Sequence, residues 1–252
     1  MDEFSWFMGA FRQLTGIDLA RYKRPQMERR LTNLRDRRGF STFAAYIQAL
    51  EADGTLLNEL LDKMTINVSE FFRNPERWET LRELVGAMST APRAWSAACA
   101  TGEEPYSLVM MLLELGCMGQ PILATDIDER VLERAAAGRY DPLQVRGLAP
   151  PDLERYFSFD GREYQIRPQI RENVRFQKHN LLEDDYPTAL DLIVCRNVLI
   201  YFTDPTKQEI LERFSNALRP GGLLFVGSTE QFFGMKLPNL APVAPFMYRR
   251  LG

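Results

Sequence analysis

Histidine is nearly missing from this chain: His179 is the single imidazole among 252 residues. A Ser-His-Asp triad, a Cys-His pair or a His-rich zinc site would each have to be built around that one side chain. Chemistry that needs no imidazole is favoured, and no metal is expected. Cysteine is scarce too. Cys99, Cys117 and Cys195 are odd in number, far apart and without CxxC spacing, so they read as reduced cytosolic thiols, not a disulfide framework. There is no surplus of positive charge. Thirty-one Lys and Arg against 34 Asp and Glu leave a net charge of −3, which argues against a general nucleic-acid binder. No apolar run is long enough to span a membrane, and the acidic, aromatic start does not read as a signal peptide. A cytoplasmic location is expected.

Glycine is withheld where a phosphate-binding loop would need it. In Trp95-Ser-Ala-Ala-Cys-Ala-Thr-Gly-Glu-Glu-Pro-Tyr-Ser107, Ser96, Ala98 and Ala100 fill the small-residue positions and only Gly102 is glycine. The segment reads as a buried strand, a turn of small residues, then a helix opened by Glu103, Glu104 and Pro105. About one helix later, Ile122-Leu-Ala-Thr-Asp-Ile-Asp128 reads as a second buried strand ending on acids. Strand, small turn, helix, strand, acid is the layout of a nucleoside site at the carboxyl edge of a parallel sheet. Small residues such as Ala98 let backbone approach the ligand, and Asp126 can accept from two adjacent ribose hydroxyls. Glu103 and Glu104 suit the helix dipole but would repel phosphate and attract a cation. S-adenosylmethionine fits, with ribose hydroxyls, no phosphate, an ammonium and a sulfonium. The plain alternative is that the two acids only cap a helix.

A 45% hydrophobic content can bury one large core, or a medium and a small one. The first eighty or so residues carry helical periodicity: Phe4, Phe7, Met8, Phe11 and Leu14; Met27, Leu31 and Leu34 after Pro25; Phe43, Tyr46, Ile47 and Leu50 behind Ser41 or Thr42 as N-cap; Leu56, Leu57, Leu60, Leu61 and Met64. Residues 1–78 are therefore expected as a small all-helical domain, joined onward by a packed helix near Asn74 to Val85. From Ala94 the pattern alternates strand and helix, which implies an α/β domain over 79–252 with a doubly wound, mostly parallel sheet. Strands are expected at 94–98, 121–125, 174–177, 191–195 and 223–227, and helices at 104–115, 129–137 and 205–218. A final strand near 245–250 would pair antiparallel with its predecessor. Residues 140–172, with two short polar helices and a hairpin around Asp160-Gly161, read as an insertion at the ligand edge.

Three further segments carry chemistry. Thr65-Ile-Asn-Val-Ser-Glu-Phe-Phe-Arg-Asn-Pro75 places Asn67, Ser69 and Arg73 around two phenylalanines. It reads either as a linker with a buried aromatic plug or as a lid over the pocket supplied by the small domain. Lys178-His-Asn-Leu-Leu182 follows a strand, where Asn180 can read an adenine edge or make a simple Asx turn. Leu192-Ile-Val-Cys-Arg-Asn-Val-Leu-Ile-Tyr-Phe202 ends a very apolar strand on Arg196 and Asn197, with Tyr201 close behind. A buried Arg needs a carboxylate. That partner is either a ligand group in the cleft or an internal acid, Glu103 or Asp126.

In their relative order, NVSEFFR, WSAACATGEEPYS, ATDID, HNLL, CRNVLIYF and LRPGGLLFVGSTE resemble the CheR family of chemotaxis protein-glutamate O-methyltransferases, and the likeness covers essentially the whole chain. It implies a class I, Rossmann-like methyltransferase domain with a small β-subdomain insertion, and S-adenosylmethionine as cofactor, S-adenosylhomocysteine as product. By resemblance, Glu104, with Glu103 beside it, holds the cofactor's amino acid part and Asp126 its ribose. Asn180 and Leu181 take the adenine side, Arg196 and Asn197 form the post-strand pair, and Asn67, Ser69 and Arg73 match the family's Thr-x-Asn-x-Thr-x-Phe-Phe-Arg. Ser69 stands where Thr is usual, which keeps the hydroxyl. The implied substrate is the cytoplasmic domain of methyl-accepting chemotaxis receptors, a protein partner and not nucleic acid, with no membrane insertion and a monomeric enzyme.

A glutamate carboxylate is already ionised near neutral pH, so it can attack a sulfonium methyl without a general base. Rate would come from alignment and exclusion of water. Arg73 is expected to orient a carboxylate and Tyr201 to shape the methyl-transfer channel. Residues 21–38 hold eight basic residues against Glu28 and Asp36, an asymmetry in an acidic chain. Arg29, Arg30 and Arg37 are candidates to dock acidic methylation helices, the bland alternative being a solvated face. The loop around Ser158 to Arg162 looks short for gripping a receptor's C-terminal peptide, so a tail-independent enzyme is expected. Two rivals stay open: a methyltransferase on nucleic acid or a small molecule, disfavoured by Arg-Asn-Val-Leu where an Asn/Asp-Pro-Pro-aromatic motif would stand, and a non-catalytic adaptor that only binds the cofactor.

Overall fold

The computed structural model describes residues 2–64, 69–230, 232 and 235–252. The described residues up to Met64, together with Tyr201–Lys207, form one compact unit; Ser69–Ile200 and Gln208–Gly252 form a second. Residues 69–78, expected with the helical domain, belong to the second unit.

In the first unit, aromatic residues three and four apart give α1 (Glu3–Thr15) one apolar face, burying Phe4, Phe7 and Phe11. Asp2 caps its start by accepting from the Ser5 N–H, and Gly16 stops it in the left-handed conformation (φ 76°). A short 3-10 turn (Leu19–Arg21) leads to α2 (Arg24–Arg37), which buries Met27 and Leu31. Thr42 caps α3 (Phe43–Ala52), and α4 (Gly54–Met64) buries Leu60 and Met64. The Phe7 and Phe43 rings meet at 4.5 Å; truncating a ring so enclosed costs about 3–5 kcal/mol. Residues 201–207 complete the unit through a Tyr22–Phe202 bridge and an Arg21 Nε bond to Thr206 Oγ1 (3.1 Å).

The second unit opens with α5 (Pro75–Gly86) and then alternates: β1 (Ala94–Ala97), α6 (Glu103–Glu114), β2 (Ile122–Asp126), α7 (Glu129–Ala137). The insertion follows, with β3 (Arg139–Tyr140), α8 (Pro150–Tyr156), β4 (Phe157–Phe159), β5 (Tyr164–Ile166) and α9 (Pro168–Arg171). Its three strands form a separate small sheet in the order β3-β5-β4. The chain returns through β6 (Val174–Lys178), β7 (Leu190–Cys195), a 3-10 turn (Leu199–Tyr201), α10 (Asp204–Ala217), β8 (Leu218–Val226), β9 (Leu240–Ala244) and β10 (Met247–Arg250). The main sheet runs β6-β2-β1-β7-β8-β10-β9, five parallel strands closed by an antiparallel pair. β1 and β7 are wholly or almost wholly buried, as strands covered on both faces must be. α6 buries ten of its twelve residues, Glu103 to Leu112.

Two differences from expectation have local causes. β9 was not foreseen because Pro242 interrupts its pattern; it lies at the sheet edge, where a missing N–H is tolerated. Arg219-Pro-Gly-Gly222 lies within β8 as a bulge, because Leu218 already pairs with Leu190 before Leu223 pairs with Leu192.

Candidate active site

The strand order reverses at β1, which has β2 on one side and β7 on the other. In a doubly wound sheet the ligand crevice opens at the carboxyl ends of the strands beside such a reversal. Leaving β1, the backbone takes left-handed conformations at alternate residues: Ala98 (φ 61°), Ala100 (φ 47°) and Gly102 (φ 94°). Two of the three carry a Cβ, at a cost of about 1–2 kcal/mol each. Asp126, at the end of β2, holds the turn in place. Its Oδ2 accepts the Ala100 N–H (3.0 Å) and its Oδ1 the Asp128 N–H (3.1 Å). A Cβ on Gly102 would lie 2.9 Å from the Ala135 Cβ, so no other residue fits at the start of α6 without a shift.

Three buried carboxyls surround this turn. Glu104 accepts from the Ser96 hydroxyl (2.8 Å) and lies 3.9 Å from Arg196 Nη1. Burial pushes the Glu104 carboxyl up to about 7, although Arg196, Ser96 and Arg73 all pull it down. Glu103 accepts from Thr101 Oγ1 (2.7 Å), from Gln144 Nε2 (3.3 Å) and from the Ser69 hydroxyl, and burial raises it as well. Burial also raises Asp126, against the backbone N–H groups it holds. Acids raised in this way gain from a cation beside them.

The segment after the undescribed residues is pinned to α6. Phe71 is a buried aromatic plug, one of the two readings of this segment, edge-on to Tyr140 (4.9 Å) and Phe157 (5.5 Å). The Phe72 N–H donates to Ser107 Oγ (3.0 Å), and Phe72 and Asn74 are left-handed (φ 47° and 60°). Arg196 does not need a carboxylate from outside. Its Nη2 donates to the Arg73 carbonyl (2.6 Å) and to Asn74 Oδ1 (2.9 Å), its acid partner is Glu104, and Phe225 and Trp78 flank the guanidinium at 4.7 and 5.8 Å. The internal reading is therefore the one observed, with Glu104 in place of Glu103 or Asp126.

Asn180 makes the Asx turn: its Oδ1 accepts the Leu182 N–H (3.0 Å), while Leu181 is buried and the adjacent His179 N–H bonds to the Asp126 carbonyl (2.9 Å). Asn197 is left-handed (φ 63°) and its Nδ2 lies 3.5 Å from Thr229 Oγ1. Sequence reasoning missed Ser96 and Gln144 as partners of the acids, and Glu230 altogether. The signal for Glu230 was an acid closing an apolar strand, in Val226-Gly-Ser-Thr-Glu230. Tyr201 belongs to the first unit, where the Arg30 guanidinium lies over its ring at 5.6 Å and Arg30 also donates to the Met64 carbonyl (2.5 Å). Arg30 is thus engaged within its unit, while Arg29 and Arg37 are exposed. Asn67 lies outside the described residues.

Two family models cover the chain: residues 2–65 match "CheR methyltransferase, all-alpha domain" and residues 67–241 match "CheR methyltransferase, SAM binding domain". The chain belongs to the CheR methyltransferase family. The chemotaxis protein methyltransferase of Listeria monocytogenes is 40% identical over 98% of this chain and 96% of its own length. Chemotaxis protein methyltransferase 1 of Pseudomonas aeruginosa is 37% identical over 90% and 89%, and the Escherichia coli chemotaxis protein methyltransferase 38% over 87% and 81%. The buried set of carboxyls suits this family's cofactor. Raised carboxyls at the start of α6 favour an ammonium and a sulfonium, and Asp126 still has lone pairs for ribose hydroxyls.

Proposed function

We propose that this CheR-family chain methylates glutamate side chains of methyl-accepting chemotaxis receptors, forming methyl esters. The observation that carries the reading is Glu104. It is a buried carboxyl raised to about 7 at the head of α6, beside the strand reversal, with Arg196 and Arg73 only partly balancing it. S-adenosylmethionine, when bound, supplies an electrophilic methyl on a sulfonium.

Glu104, flanked by Glu103, would hold the ammonium, and Asp126 the ribose hydroxyls. The turn through Ala98 gives backbone access, and Asn180, Leu181 and Asn197 would line the adenine side. Arg196 acts from behind, balancing Glu104 and holding the Arg73 carbonyl, so that Arg73 and Ser69 are presented by a fixed backbone. Asn67 is assigned to the cofactor by family likeness; Arg73 would orient a substrate or cofactor carboxylate and Tyr201 would shape the transfer path. The attacking glutamate needs no base, so these residues align groups and exclude water.

The test is a labelled methyl-transfer assay with a receptor cytoplasmic fragment, tRNA and DNA side by side. Alkali-labile label on receptor glutamates is expected. Label on either nucleic acid, or tight cofactor binding with no transfer to any substrate, would reject the proposal.

A further inference from the structure

Glu230 has no place in the reading above, yet it is among the most heavily bonded carboxylates in the second unit. It is 3% exposed. One oxygen accepts the Leu199 N–H at 2.6 Å and the other the Gly227 N–H at 2.5 Å. The N–H groups of Asn197 and Val198 also bond to it. Four backbone donors from two turns, one after β7 and one after β8, thus converge on a single side chain. Backbone donors left without an acceptor inside a protein cost about 1–3 kcal/mol each, so a water-filled or apolar substitute would not hold this arrangement.

The packing around it is as tight as the bonding. A Cβ on Gly227 would stand 2.7 Å from the Asn197 nitrogen, 3.0 Å from its Nδ2 and 2.9 Å from Glu230 Oε2. Asn197 is held left-handed there, directly after Arg196. Electrostatics point the same way. Arg196 is drawn on by both Glu104 and Glu230, and the Glu230 charge in turn raises Glu104. One buried cation therefore stands among two buried acids.

We infer that Glu230 is a positioning residue for cofactor binding: its carboxylate gathers the N–H groups of Asn197, Val198, Leu199 and Gly227, fixes the turn that carries Arg196 and Asn197, and sets the charge that Glu104 faces. The inference rests on the reading of this crevice as the S-adenosylmethionine site. In this role Glu230 acts through Arg196, Asn197 and Glu104. It also accounts for why the turn after a strand as apolar as β8 ends on a buried acid.

The test compares Glu230→Gln, Gly227→Ala and the unaltered chain by calorimetric titration of S-adenosylhomocysteine between pH 5.5 and 8.5. Glu230→Gln keeps the volume but turns one acceptor into a donor among donors. It should weaken binding about tenfold and move the pH midpoint of affinity downward, because one acid no longer repels Glu104. Gly227→Ala pushes on Asn197 without changing any charge, so it should weaken binding and leave the midpoint in place. A role confined to folding would lower thermal stability in both variants and move neither affinity nor midpoint in the folded fraction; that outcome overturns the inference. If Glu230→Gln does not fold, Gly227→Ala decides by its affinity alone, and unchanged affinity there rejects the positioning role. Failure of the unaltered, folded chain to bind the thioether would instead overturn the proposed function, a distinct result.

Discussion

Two charged regions of this molecule obey different physics. At the head of α6, Glu103, Glu104, Asp126, Arg196 and Glu230 are all buried, and each is shifted by burial away from its ordinary acidity. Along α2 and its carboxyl-terminal cap, by contrast, most arginines lie at the solvated surface. Arg24 pairs with Asp2 and Glu28, Arg35 with Asp36, and Arg38 with Glu59, at side chains mostly about half exposed. Exposed pairs contribute roughly 0–1 kcal/mol, whereas losing one partner of a buried set costs several times more. Charged side chains therefore form an interlocked buried cluster in one place and a replaceable surface in the other.

The sharpest way to break that contrast is Arg196→Met. Removing the cation leaves Glu104 and Glu230 buried without it, and the Arg73 carbonyl and Asn74 lose their donor. A loss of about 3–5 kcal/mol is expected, read as a lower denaturant midpoint at unchanged slope. A loss below about 1 kcal/mol would place this cluster with the surface pairs.

Arg73→Ala should follow in size. It is expected to lower kcat/KM at least about a hundredfold through lost alignment, with folding far less affected. Near-normal turnover would reject the orienting role.

Glu104 makes a prediction in which stability and binding move in opposite directions. Its carboxyl is raised from 4.5 to about 7 in the folded chain, so the ligand-free fold binds this proton more tightly than the unfolded chain does. The associated stability is full below about 4.5 and is lost as pH rises through 7; on its own the shift corresponds to roughly 3 kcal/mol. Glu104→Gln should therefore flatten the fall in melting temperature of the ligand-free protein between pH 4.5 and 8, on top of any constant loss from leaving Arg196 without its acid. The same variant should lose cofactor affinity about a hundredfold. In the unaltered chain, affinity should fall as pH drops below 7, because the protonated carboxyl no longer attracts an ammonium. Calorimetry across pH 5.5–8.5 checks the second claim, and a flat profile would remove Glu104 from the ammonium's surroundings.

The buried region was also the more legible one. Strand β1, the small turn and the acids at the head of α6 follow from local pattern, since strand burial, turn chemistry and helix dipole each leave a mark on neighbouring residues. What escaped was contact at long range. Nothing local says that Ser96 reaches Glu104, that Gln144 from the insertion reaches Glu103, or that Arg196 spends its donors on Arg73 and Asn74. The role of Glu230 escaped for the same reason: its partners are backbone N–H groups, which every sequence has, and only its place after an apolar strand marked it. On α2 the charge pattern could not separate one arginine from the next. Charge alone nominated Arg29, Arg30 and Arg37 together, but Arg30 bonds to the Met64 carbonyl and lies over Tyr201, a distinction no charge count makes.

The smallest expected effect tests the surface half of the comparison. Arg29 and Arg37 are exposed on α2, eight residues apart and so near one face of the helix. Arg29→Glu should leave the melting temperature, cofactor affinity and kcat unchanged, stability shifting by no more than about 0.5 kcal/mol. The Michaelis constant for an acidic receptor fragment should rise severalfold, and the difference should shrink as salt rises, since exposed charges are screened beyond about 10 Å at 0.1 M. Arg37→Glu should behave alike but with an added loss of about 0.3–1 kcal/mol, because it places an anion at the carboxyl end of the helix dipole. The two variants thus separate docking from helix stability: a docking face requires equal rises in the Michaelis constant despite unequal losses of stability. If the Michaelis constant instead tracks stability, α2 is a solvated face, and the acidic substrate is recognised elsewhere.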